Sequence, residues 1–197
     1  MPDFEKQSYW HERFASERAF EWLVPSSTFM DILEPYLAGL STSTSRILHL
    51  GSGTSDLHNY LRDRGFVNVT NVDYEPLALE RGQQLERDRF GDVRTHYLLA
   101  DATQLDLSDK YQLVIDKGTA DAIACGGEDA LLSMARSVRR SLDESGFWVS
   151  FSYSSDRFGG EVESVFSAEV ISKVPTPKRK PTDPDIFHYC YLLRPRE

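Results

Sequence analysis

The sequence predicts an α/β fold: a mostly parallel sheet with helices on both faces, closed by an antiparallel hairpin at the C-terminal end. Three observations predict it. Four short apolar runs each end beside a turn or an acid: the first breaks at Gly51-Ser-Gly53, and Asp73, Asp101 and Asp116 close the next three. Helix-like segments separate these runs, as strands alternating with helices do in a parallel sheet. The last two runs follow each other with only a proline-rich loop between them, which makes them antiparallel neighbours.

Each element has its own signal. Gln7 to Ala19 reads as an amphipathic helix carrying Tyr9, Trp10 and Phe14, and the segment from Phe20 stops at Pro25. Ser27 to Leu40 repeats Phe29, Ile32, Leu33, Tyr36 and Leu37 at helical spacing, with a kink or break expected at Pro35. Ser41 to Ser45 leads into a strand over 46–50. A helix over 54–64 is capped by Gly65, and a strand follows over 68–72. Pro76 opens a helix to Arg89 from a first-turn position where proline is tolerated. Strands are expected over 94–99 and 111–116. Glu128 to Leu142 places Leu131, Leu132, Ala135, Val138 and Leu142 on one helical face. Gly146 turns the chain into a strand over 147–153. Residues 161–174 alternate as an edge strand does, and 187–193 form the last strand.

The 197 residues suit one domain, with 1–45 expected as a helical lid and 46–197 as the core. A formal net charge of −9 argues against nonspecific binding of nucleic acid or an anionic membrane and suits a basic partner. The one basic cluster, Lys178-Arg-Lys180, reads as a solvated loop. Two cysteines, Cys125 and Cys190, make neither a disulfide framework nor a metal-ligand spacing. No signal-like start and no apolar run of about 18 residues is present, so a cytoplasmic, membrane-free protein is expected, with a monomer as the default.

Acids at the carboxyl ends of successive strands mark the edge where such sheets bind ligands. Asp73 lies 22 positions after Gly51, a spacing at which a carboxylate accepts both hydroxyls of a ribose. The turn lacks the third glycine of a dinucleotide site, and Asp56 at the following helix start would repel a pyrophosphate. A nucleoside cofactor without phosphate, S-adenosylmethionine, fits better. Asp101 then suits the adenine amino group, with Ala102 leaving room for the ring. Asp116-Lys-Gly-Thr119 would lie beside the reacting group, with Asp116 holding the methionine ammonium or orienting an incoming amine. Trp10, Phe14, Phe20 and Trp22 fit a lid, whose aromatic faces favour a sulfonium cation, or ordinary core packing. Tyr153 fits an acceptor channel or plain packing.

Tyr9-Trp-His-Glu-Arg-Phe14, Phe20-Glu-Trp22, the 47–55 turn, Asn71-Val-Asp-Tyr74, Asp116-Lys-Gly-Thr-Ala-Asp-Ala122 and His188-Tyr-Cys-Tyr191 occur in one order along the chain. Together they resemble the methyltransferase-like-13 and endothelin-converting-enzyme-2-associated group of seven-strand methyltransferases. That resemblance implies a Rossmann-like sheet, S-adenosylmethionine as cofactor, and lysine methylation of a protein such as translation elongation factor 1-alpha. It also implies that Trp10, Phe14 and Phe20 touch the cofactor from the lid and that Gly51 passes under the methionine part; Arg13, Ser52 and Gly53 are likewise expected to bind the cofactor. Asp73 and Tyr74 would serve the ribose and adenine side, Asp101 and Ala102 the adenine, and Asp116 and Lys117 the transfer centre. Phe14 and Phe20 stand where the group often has tyrosine, so a hydroxyl contact is absent there; His49, Ser52 and Ala120 also depart from its usual pattern. Two other functions fit the same fold: a small-molecule methyltransferase, favoured by a wide apolar acceptor pocket, and a non-enzymatic scaffold. A narrow channel with an acidic rim would favour protein lysine.

Overall fold

The computed structural model describes residues 3–196. Its seven strands form one sheet: β1 (Ile47–Leu50), β2 (Val69–Asp73), β3 (His96–Leu99), β4 (Tyr111–Lys117), β5 (Leu142–Ser152), β6 (Phe166–Pro175) and β7 (Phe187–Pro195). They lie in the order β3-β2-β1-β4-β5-β7-β6. The first five run parallel, and β7 is antiparallel to both β5 and β6. The chain therefore reverses its direction of growth between β3 and β4, and a crevice opens beside β1 at that switch point.

The helices are α1 (Gln7–Ser16), α2 (Ser26–Leu37), α3 (Leu57–Asp63), α4 (Pro76–Phe90), α5 (Thr119–Ala124) and α6 (Glu128–Ser141). Alternation along the strands divides the core in two. Leu48, Leu50, Val114 and Trp148 face α6, packing on Leu131, Met134, Ala135 and Val138. Ile47, Leu113, Ile115, Val149 and Phe151 face the other way, onto Phe29, Met30, Leu33 and Leu37 of α2 and Leu57 and Leu61 of α3. The helical segment before β1 thus has two parts: α2 is core, and only the residues up to about Pro25 remain free to cover the crevice.

Several local expectations are corrected. α1 ends at Ser16 rather than Ala19, and α2 runs through Pro35 without a break. The helix expected from Thr54 starts at Leu57, because residues 51–56 are held as a loop by side chains from elsewhere. β5 begins at Leu142, so Gly146 lies within a strand with a register irregularity rather than at a turn. Residues Gly160–Ser164 form a 3-10 turn, and β6 starts only at Phe166. α5 is an element the sequence pattern did not announce.

Candidate functional site

A cavity of about 560 Å3 lies at the carboxyl ends of β1, β2 and β4, roofed by the N-terminal segment. Its floor is the turn after β1. Gly51 adopts φ +55°, and a Cβ placed there would stand 2.1 Å from Thr119 Oγ1, so this position requires glycine to let the turn seat against the start of α5. Thr119 Oγ1 donates to the Leu50 carbonyl at 3.0 Å, fastening the loop after β4 to the loop after β1. The close approach that the glycine permits is thus to Thr119 as well as to any ligand.

Asp73 sits at the end of β2, buried, with Gly53 N–H donating to Oδ2 at 2.9 Å and Glu75 N–H to Oδ1 at 3.0 Å. Burial pushes its carboxyl up to about 6, while those two amides pull the other way. Each oxygen keeps a lone pair for a ligand hydroxyl. Tyr74, Asp101 and Ala102 line the same end. Asp101 Oδ1 accepts from the backbone and hydroxyl of Thr103, both at 2.8 Å, which leaves Oδ2 toward ligand or solvent. His49, also at this floor, is buried beside Asn71 and held neutral, its pKa lowered to about 4 by burial.

The roof is aromatic. Trp10, Phe14, Phe20 and Trp22 line the cavity from α1 and the segment after it, and their rings stack in a chain of edge and tilted contacts. A latch fixes this roof to the core. Lys117 Nζ, only 4% exposed, pairs with Glu21 Oε2 at 2.7 Å and donates to the Trp22 carbonyl at 2.8 Å. Oε1 of the same glutamate accepts from Ser26 Oγ and Ser55 Oγ at 2.9 Å each and from Asp56 N–H at 3.1 Å. Glu17 adds a second tie, accepting from Thr54 Oγ1 at 2.7 Å. Immediately after the Trp22 carbonyl tie the chain bends sharply: Leu23 takes φ +66°, a region that L side chains rarely visit.

Two expected residues lie outside the cavity. Asp116 is 0% exposed, and its side chain projects to the α6 face of the sheet. It accepts from Trp148 Nε1 at 2.8 Å and from Ala120 N–H at 3.1 Å. That placement corrects the expectation that it orients an incoming amine: it joins β4, β5 and α5 beneath the site. Arg13 is also corrected. Its guanidinium pairs with Glu17 at 2.6 Å and lies over the Phe20 and Trp22 rings at 4.9 and 4.5 Å, supporting the roof from behind. The remaining candidates, Trp10, Phe14, Phe20, Gly51, Ser52, Gly53, Asp73, Tyr74, Asp101, Ala102 and Lys117, all line the cavity.

The sequence of residues 48–149 matches a family described as a methyltransferase domain. The chain belongs to that family. Methyltransferase srdJ of Neurospora crassa is 60% identical over 201 residues, covering 100% of this chain and 86% of the relative. The eEF1A lysine and N-terminal methyltransferase of Mus musculus is 32% identical over 150 residues, covering 73% of this chain but 20% of that protein. This chain therefore spans about a fifth of the length of that second relative. In architecture it is similar to N-methyltransferase NodS from Bradyrhizobium japonicum, solved with S-adenosyl-L-homocysteine: the TM-score is 0.66 at 15% identity, with 93% of this chain and 97% of the other covered. The present methyltransferase is S-adenosylmethionine-dependent.

The residues of this methyltransferase fit that cofactor. Among the described residues, Ser52 Oγ and Trp22 Nε1 are buried polar atoms without a protein partner, and both residues line the cavity. A buried hydroxyl and a buried indole N–H left unpaired cost about 1–3 kcal/mol each. A ligand with a carboxylate and an ammonium offers what both atoms lack. Glu21 and Asp121 are the site-forming acids that the sequence reading passed over. Glu21 lies 96 positions from Lys117, and no spacing rule links residues so far apart.

Proposed function

We infer that this methyltransferase transfers the methyl group to a small apolar acceptor. The carrying observation is the far end of the cavity, which is walled by Ala122, Ile123, Cys125, Ala130 and Tyr153. Such a wall suits an apolar small molecule. Of the acids at that end, Asp121 is neutralised by Arg157 at 2.8 Å, and Glu5 stands at the exposed rim. A lysine acceptor calls for a narrow channel with an acidic rim, whereas the side chains named at this end are mostly apolar.

When bound, S-adenosylmethionine supplies an electrophilic methyl on a sulfonium. The protein's own residues do the rest. Asp73 would accept from the ribose hydroxyls, Asp101 from the adenine amino group, and Ser52 and Trp22 would engage the methionine end. The aromatic roof excludes water and gives the cation a favourable face. Orientation of donor and acceptor at near-attack distance then supplies much of the rate. Asp116 is sealed and Asp121 is ion-paired, so neither is a free base beside the acceptor, and the acceptor's own acidity governs its activation.

A second reading is lysine methylation of elongation factor 1-alpha, favoured by the likeness to the mouse eEF1A lysine and N-terminal methyltransferase. One experiment separates the two. The protein is incubated with methyl-labelled S-adenosylmethionine and either a panel of phenols and amines or purified elongation factor 1-alpha. Label in organic extracts with none in precipitated factor supports the small-molecule reading, and the reverse result overturns it.

A further inference from the structure

The loop after β5 is held with unusual care for a segment outside the cofactor end. Asp121, buried on α5, accepts from Tyr153 N–H at 3.0 Å and from Arg157 Nε at 2.8 Å, and also from the Ser152 hydroxyl. Tyr191 adds a second anchor, donating to the Ser154 carbonyl at 2.7 Å. The result of this bonding is odd: it fixes an aromatic residue that is 55% exposed. The Arg157 guanidinium lies 5.2 Å from the Tyr153 ring centroid, and the ring also lines the cavity. A tyrosine whose backbone is pinned by a buried ion pair, and whose ring stays half exposed at a cavity wall beside the Arg157 guanidinium, is pre-ordered to receive something.

We propose that Tyr153 is the specificity-determining wall of the acceptor subsite, and that the acceptor it selects is a flat, apolar molecule lying against its ring. The inference rests on the small-molecule reading above and deepens it. The same cavity is also lined by Phe4, Ala122, Ile123, Ala130 and Cys125. The tyrosine ring within this largely apolar lining favours a planar guest that can stack on it. Asp121 acts through the loop as a positioning residue. The roof aromatics and Asp73 belong to the cofactor and do not enter this contact.

The test uses the whole chain saturated with S-adenosylhomocysteine and 2-naphthol as a flat apolar probe, followed by calorimetric titration. Binding of naphthol to the wild type is expected. Tyr153→Phe, which keeps the ring, retains it, whereas Tyr153→Ala weakens it about fivefold, the size of one lost aromatic contact. Because the side chain is half exposed, the alanine variant keeps its fold, and its S-adenosylhomocysteine titration checks this. Three results overturn the inference: no naphthol binding to the saturated wild type, equal binding by Tyr153→Ala, or equal binding of the globular alcohol 1-adamantanol. Loss of S-adenosylhomocysteine binding in Tyr153→Ala also overturns it, since the tyrosine would then serve the cofactor. Failure of the wild type to bind S-adenosylhomocysteine instead overturns the cofactor-site assignment on which both readings stand.

Discussion

Replacing Glu21 with glutamine removes one charge from the latch and little else. The amide oxygen still accepts from Ser26, Ser55 and the Asp56 amide, which converge on Oε1 in the native protein. What is lost is the partner of Lys117, an ammonium 4% exposed whose other acceptor is the neutral Trp22 carbonyl. Breaking a buried pair from one side costs about 3–5 kcal/mol. Glu21 is 26% exposed, so the lower end, about 3 kcal/mol, applies here. For a chain of this length that is a fall in melting temperature of roughly 6–12 °C. Burial already lowers the Lys117 pKa against the pull of Glu21, and without Glu21 it falls further. The unfolded chain then holds that proton to higher pH than the folded one. Both proteins therefore gain stability as pH rises from their folded Lys117 pKa toward the unfolded value near 10.5, and the variant gains more because its folded value lies lower. Adding Lys117→Met removes the stranded charge and should restore most of the loss, as apolar replacements of buried pairs do. Thermal unfolding of wild type, the single and the double variant measures this, with hydrogen exchange in α1 reporting whether the roof opens first. A single variant within about 1 kcal/mol of wild type, or a double variant no better than the single, refutes the reasoning.

Asp116→Ala should act on stability rather than on chemistry: it orphans the Trp148 indole and the Ala120 amide, at about 1–3 kcal/mol each. Thermal unfolding beside an S-adenosylhomocysteine titration on the folded fraction checks it, and full stability with lost transfer would return Asp116 to a catalytic role. Affinity for S-adenosylhomocysteine should fall as pH drops below about 6, because a proton on Asp73 competes with the ribose hydroxyls it accepts. His49 and His58 stay neutral down to about 4, so Asp73→Asn should bind weakly and flatten the profile between pH 5 and 7 in calorimetry. Gly51→Ala meets Thr119 Oγ1 at 2.1 Å and a φ of +55°, and should destabilise by about 2–4 kcal/mol in urea unfolding.

The sheet was legible because each parallel strand is an apolar run with a distinct stop, and the order of acids maps directly onto one edge. Local periodicity says nothing of side-chain partners, and that is where the reading failed. Asp116 carries the same strand-end signature as Asp73, yet the alternation that turns Val114 toward α6 turns Asp116 there too. α5 escaped notice because six residues, Thr119–Ala124, are too few for a helical period to register. The start of α3 moved because Glu21, 35 positions upstream of Asp56, takes that residue's amide and holds the loop open.

Chain order divides the roof itself: Trp10 and Phe14 precede the latch, while Phe20 and Trp22 flank Glu21. The roof helix α1 comes first, and the latch residues Glu17 and Glu21 come after it. Protein synthesis, proteolysis and gene fusion all act on that order. A polypeptide starting at Glu17 would keep every tie to Thr54, Ser55 and Lys117 while lacking Trp10 and Phe14. The part of the roof that precedes the latch is tied to the floor separately, by Gln7 Nε2 donating to the Tyr74 carbonyl at 2.6 Å and by His11 Nδ1 at 3.0 Å from Glu75, so any exchange of α1 has to rebuild those two contacts.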